Sequence, residues 1–173
     1  MEEQLEHRQA NSVLEATLED GVLEGALRIE ENGRLLAIQR YQHGVLHGVM
    51  ESWHPNGQLA MQQAYHHGNA QGLARYWSPE GALIREEMWR DGQLDGECRS
   101  FYPSGLVQIR EQWHNGLRHQ MSEQFYPDGA LAARQYYEGG KLKGEAERWL
   151  PDGRAVDASG KAQSRLSKWT ERL

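Results

Sequence analysis

Glycine returns every 24 residues along this chain. Gly44, Gly68, Gly92, Gly116 and Gly140 form one series, and Gly33, Gly57, Gly81, Gly105, Gly129 and Gly153 form a second with the same step. A third, Gly48, Gly72, Gly96 and Gly144, keeps the step but carries Gln120 where a glycine is due. A fixed period of this length specifies stacked copies of one supersecondary unit. The functional question is therefore what the stack displays, not which pocket it encloses.

Each unit holds two runs that suit strands, separated by Pro-x-Gly at Pro55–Gly57, Pro79–Gly81, Pro103–Gly105, Pro127–Gly129 and Pro151–Gly153. Proline presets φ near −65° and glycine accepts φ > 0, so this triplet is a tight hairpin turn. Gly-x-x-x-Gly, as in Gly44–Gly48, joins one hairpin to the next. Two residues before each proline stand Trp53, Trp77, Phe101, Phe125 and Trp149; eight after each turn glycine stand Tyr41, Tyr65, Trp89, Trp113 and Tyr137. Residues in equivalent positions stack on neighbouring hairpins, so both rows read as ladders of one shared core.

The expected fold is all-β: an elongated array of stacked antiparallel β-hairpin repeats of period 24, forming one twisted sheet with a short C-terminal capping helix. Residues 1–11 read as a polar lead-in, 12–153 as the repeat domain and 154–173 as the amphipathic cap, since Ala162, Leu166, Trp169 and Leu173 follow a helical spacing. A hydrophobic content of 38% suits an array whose units each bury one face against few neighbours.

The pattern Trp/Phe-x-Pro-x-Gly-x-Leu, then an aromatic, then Gly-x-x-x-Gly, resembles the MORN-repeat variant family over about residues 12 to 153. The resemblance implies repeated hairpins in one curved sheet. Bacterial members, described as YwqK-like antitoxins, are neutralising partners of toxins, including immunity proteins to secreted effectors. Eukaryotic MORN proteins point instead to membrane association and scaffolding. This chain departs from the pattern at Gln120 and at Arg118, which replaces the apolar residue seen as Leu46, Leu94 and Leu142. Local geometry around 116–121 is in question there, and an array that breaks its own rule can do so for a partner.

The net charge of −6 speaks against nucleic acid, which needs a basic footprint. No run approaches a transmembrane span, and a membrane is not an expected partner. MEEQLEHRQA has no apolar core of a secretory leader. The cytoplasm is the expected compartment, or the periplasm if a leader precedes the chain. The lone Cys98 reads as strand filler. Glu51, Glu86, Glu87, Glu111, Glu123 and Glu147 are scattered, with Arg75, Arg85, Arg99 and Arg110 among their neighbours, and read as cross-strand ion pairs. No nucleophile elbow, phosphate loop or dinucleotide fingerprint occurs, so no catalytic residue and no cofactor is expected. His43, His47, His66, His67, His114 and His119 gather in the linkers, with stacking expected to bring His43 near His67. They lack metal-ligand spacing, and no metal is expected.

The positions that vary between units are the expected binding surface. Tyr76, Tyr102 and Tyr126 alternate with the aromatic before the proline, and Met88 and Tyr136 alternate with the aromatic after the turn. With Arg110 and Arg134 they read as one patch on the face opposite the core, in residue types enriched in interface hot spots. The expected function is a non-catalytic binding protein, an antitoxin or immunity protein covering a cognate toxin or effector; the alternative is a scaffold held to lipid or a larger assembly. The oligomeric state is not legible.

Overall fold

The computed structural model describes residues 1–9, 11–157 and 160–162. It is all-β over these residues and divides into two units, Met1–Asp95 and Gly96–Leu173. The first contains β1 (Glu2–Gln9), β2 (Ser12–Glu19), β3 (Val22–Glu31), β4 (Arg34–Gln42), β5 (Val45–Leu46), β6 (Gly48–Trp53), β7 (Leu59–His66), β8 (Asn69–Trp77), β9 (Leu83–Arg90) and β10 (Gln93–Leu94). The second contains β11 (Gly96–Phe101), β12 (Val107–His114), β13 (Leu117–Phe125), β14 (Leu131–Glu138), β15 (Lys141–Trp149) and β16 (Ala155–Val156). Within each unit, sequential strands pair antiparallel, the stacked-hairpin architecture expected of the repeat.

The turns take two forms, set by the glycine series. At Pro-x-Gly the residue before proline closes a loop of three residues: the Gly57 amide donates to the His54 carbonyl at 2.8 Å, and the His54 amide to the Gln58 carbonyl at 2.8 Å. This is a turn ending in a left-handed residue, as three-residue hairpin loops require. The other connection is a two-residue turn with both residues at positive φ, for example His67 (48°) with Gly68 (82°) and Asp91 (49°) with Gly92 (77°); Asn32 and Gly33, whose unit lacks the proline, form the same turn. Its hand matches strand twist, and Asn, Asp and Gly tolerate it best.

The third glycine series has a different task. Gln62 pairs with Arg75 but Ala64 with Gln71, so three residues around Gly72 face Gln63 alone. Gly72 sits in this bulge at φ 74°. Gln120 takes the same backbone, at φ 64°, and β13 runs unbroken through it. The irregularity read from the sequence at 116–121 is therefore one of residue type, not of backbone. A non-glycine residue is held left-handed at a cost of about 1–2 kcal/mol.

Three expectations are corrected. The sheet starts at Glu2, not near residue 12: β1 pairs with β2 through eight registered residues although every residue of β1 is exposed. A polar lead-in with no apolar pattern still completes a hairpin by backbone pairing. The C-terminal cap expected over 154–173 does not begin as a helix. Ala155 and Val156 pair with Trp149 and Arg148, and Val156 bridges Ala162. Leu166, Trp169 and Leu173, the rest of the expected helical face, lie outside the described residues.

The third correction concerns the core. The aromatic before the proline and the aromatic after the turn lie on opposite faces. Ala74 pairs with Glu87 and Tyr76 with Arg85, whereas Leu73 pairs with Met88 and Arg75 with Glu86. Trp89 is thus in phase with Glu87 and Tyr76, and Trp77 with Arg75 and Glu86. A register shift at Tyr76/Trp77 separates the two stretches, which counting residues across the turn cannot reveal. Each hairpin carries one aromatic row on each face. The buried apolar residues are accordingly small: Ala16, Ala37, Ala74 and Cys98.

Candidate functional site

On one face, the position six residues after each turn glycine is Gln39, Gln63, Glu87, Glu111 or Gln135. Gln63 is 3% exposed, and Glu87 and Glu111 are each 8% exposed. Small partners make room for them: Ala74 stands opposite Glu87 and Cys98 opposite Glu111. Buried polar groups need partners, and the aromatic two residues on supplies one. Tyr41 donates to Gln39 at 2.8 Å, Trp89 to Glu87 at 3.1 Å, Trp113 to Glu111 at 3.3 Å and Tyr137 to Gln135 at 2.9 Å. Glu87 also accepts from Tyr76 at 3.0 Å and from Arg85 at 2.5 Å. Burial, and then the Glu87 carboxylate, push the Tyr76 hydroxyl well above the usual phenol range.

Arg118, the departure from the linker pattern, completes the same row in the second unit. Its guanidinium pairs with Glu111 at 3.0 Å and lies over the rings of Trp113 (5.7 Å) and Tyr137 (5.5 Å). An arginine in this setting gains both charge pairing and stacking.

The opposite face of the second unit carries a charge ladder. Glu123 lies 3.4 Å from both Arg110 and Arg134, and Arg134 reaches Glu147 at 3.8 Å. Arg110 covers Phe125 at 5.5 Å and Arg134 covers Trp149 at 5.7 Å. The arginines shield the aromatic row before the prolines.

The seven residues expected to form one patch therefore separate. Tyr76 is on the buried-carboxamide and carboxylate face, bound to Glu87. Met88, 37% exposed, is on the other face of β9. Tyr102 and Tyr126 sit in turns, and their hydroxyls donate to the Phe125 and Trp149 carbonyls of the next repeat, each at 2.8 Å. His54 bonds the Trp77 carbonyl at 2.8 Å in the same way. These residues stitch hairpins together. Arg110, Arg134 and Tyr136 do share one face. Register pairs Tyr136 with Met121, and these two are 45% and 40% exposed. Met121 is the residue that the sequence reading passed over; its neighbour Gln120 in the glycine series was the available signal.

The histidines also regroup. His43 lies not beside His67 but against Glu24, whose carboxylate accepts from the His43 amide at 2.7 Å. His47, His66 and His67 cluster instead, with ring centroids 4.3–5.4 Å apart. Among the described residues, no helix is long and apolar enough to cross a membrane.

The MORN repeat variant family matches residues 46–67 and 131–149. The first stretch covers β6, its turn and β7; the second covers β14 and β15. These two stretches carry MORN-variant repeats, in keeping with a repeat-based binding scaffold. No curated protein sequence matches. Among solved structures, the crystal structure of accessory secretory protein 1,2 and 3 in Streptococcus pneumoniae is similar at 15% identity and a TM-score of 0.25, over 68% of this chain and 19% of that chain.

Proposed function

We propose that this chain is a non-catalytic binding protein that neutralises a bacterial toxin or effector by direct contact, and that the contact centres on Met121 and Tyr136. The observation that carries the reading is this exposed cross-strand pair next to the left-handed Gln120. Strained backbone persists where the surrounding fold overdetermines it, and such positions cluster at functional sites. Tyrosine and methionine supply large contact area and are enriched in interfaces. Arg110 and Arg134 frame the pair, sharing Glu123 and reaching Glu97 and Glu147 in turn. The net charge of −6 favours a basic partner and speeds its arrival.

Support for a non-catalytic role comes from the carboxylates. Glu87, Glu111 and Glu123 are each engaged by arginine or by aromatic donors, which leaves them structural tasks. The test is growth rescue: neighbouring reading frames are induced with and without this chain. One toxic product is rescued and co-elutes with the chain, and Met121→Glu with Tyr136→Glu abolishes both effects without changing the thermal midpoint. Undiminished rescue by that double variant overturns this surface. No rescue, with binding to anionic vesicles instead, overturns the antitoxin reading in favour of the scaffold.

A further inference from the structure

The geometry points to a transition-metal site built by His47, His66 and His67 in the first unit. The site follows from backbone shape. His66 ends β7, and in an extended strand its neighbour faces the other way. His67 is instead the first residue of a two-residue turn, at φ 48°, and this rotation brings its ring to 4.3 Å from that of His66. His47 comes from the preceding linker, where its amide donates to the Arg40 carbonyl at 2.7 Å and fixes the segment. Its ring lies 5.0 Å from His66 and 5.4 Å from His67.

One ring nitrogen from each histidine lies within 4.8 Å of the others. A tetrahedral ion held at ~2.0–2.1 Å sets ligand nitrogens roughly 3.4 Å apart. The required contraction is at most about 1.4 Å, within reach of ring rotation at His66 and His67, which are exposed. His47 is half-buried, and its Nδ1 is buried without a hydrogen-bond partner. No hydrogen bond therefore has to be broken at Nδ1 for the His47 ring to serve as a ligand. An all-imidazole ligand set with no carboxylate in it selects zinc, nickel or copper over magnesium or calcium. Arg40 lines the same groove as His47, and its charge is paired with Glu51 at 3.6 Å. Three ligands leave a coordination position open for water or for a side chain of a bound protein. The expectation of no metal rests on sequence spacing, and that criterion does not see this cluster, because two of its histidines are adjacent in sequence and the third is 19 residues earlier.

The test is titration of the full, tag-free chain with cobalt(II), followed by visible absorption, and with zinc(II), followed by calorimetry. The proposal expects one equivalent bound with intense tetrahedral d–d bands. It also expects at least a tenfold loss of affinity in His47→Ala and in the exposed pair His66→Ala with His67→Ala, with circular dichroism unchanged. His114→Ala with His119→Ala, a two-ring pair at 5.8 Å, serves as the control and leaves binding intact. No stoichiometric binding overturns the site, as does equal affinity in His66→Ala with His67→Ala.

Discussion

In β9 the neighbours Glu87 and Met88 point to opposite faces, as do Gln135 and Tyr136 in β14, and the two faces are held by different rules. The Gln/Glu side is constant in chemistry: a carboxamide or carboxylate, a small residue opposite where Ala74 and Cys98 stand, and in four of its five positions an aromatic donor two residues on. The other side varies from Arg40 to Ala64, Met88, Gln112 and Tyr136. One face can therefore change its side chains for a partner while its reverse holds the hairpins in register. A sheet whose buried apolar residues, among the described ones, are all small depends on such polar stitching more than a two-layer domain does.

The sharpest way to break this comparison is to remove the stitching. Glu87→Ala strips the acceptor from Tyr76, Arg85 and Trp89 together. The expected loss is ~3 kcal/mol, because buried donors are left unpaired and a partly buried cation loses its counter-charge. Met88→Ala, one residue along, costs less than about 1 kcal/mol, as expected at an exposed strand position. Urea denaturation of both variants reads the difference; equal losses mean that the faces are not distinct.

Next comes the strain beneath the proposed contact. Gln120→Gly relieves the left-handed penalty and raises stability by ~1 kcal/mol. If Gln120 serves binding, the same change weakens partner neutralisation while the protein becomes more stable. A destabilised Gln120→Gly protein removes the strain from the argument. Tyr126→Phe takes a single hydrogen bond from the Trp149 carbonyl and costs about 1 kcal/mol. Unchanged stability there means that water replaces the hydroxyl. On the ladder face, Glu123→Gln leaves Arg110 and Arg134 without their shared counter-charge. Its cost is ~0.5–1 kcal/mol at low ionic strength, and it shrinks in ~0.5 M salt as screening grows. A salt-independent loss reassigns Glu123 from charge balance to packing.

Much of this was readable before any coordinates. The 24-residue glycine period located every Pro-x-Gly turn, and the strand runs between them follow. What escaped were events that shift phase by one residue. The register shift at Tyr76/Trp77 and the bulge at Gly72 each move later side chains relative to a simple alternation. Tyr76 and Met88 were thereby placed on one face when they occupy two. Tyr102 and Tyr126 were misread for another reason: a turn tyrosine reaching the next repeat's carbonyl looks, in sequence, like any exposed aromatic. Met121 has one signal in the sequence, the neighbouring Gln120 that breaks the glycine series; its exposure and its pairing with Tyr136 are visible only in the fold. The Gln/Glu row recurs at the same offset from five glycines, but its glutamates read in sequence only as ion-pair partners, because nothing in the pattern shows that they are buried.

The smallest expected effect isolates one member of the stitching by its titration. Burial first, and then the Glu87 carboxylate, hold the Tyr76 hydroxyl protonated above its ordinary range. A group whose folded pKa is raised contributes its full stability below the unfolded value, about 10 for tyrosine. It loses that contribution as pH climbs through the folded value, because the unfolded chain then releases the proton more readily. Wild-type protein thus loses thermal stability between about pH 10 and pH 12 in part through Tyr76. Tyr76→Phe starts lower, having given up the bond to Glu87, but declines less over the same interval. Parallel decline of the two proteins shows that the phenol ionises freely in the fold. In that case Glu87 is held by Arg85 and Trp89 alone.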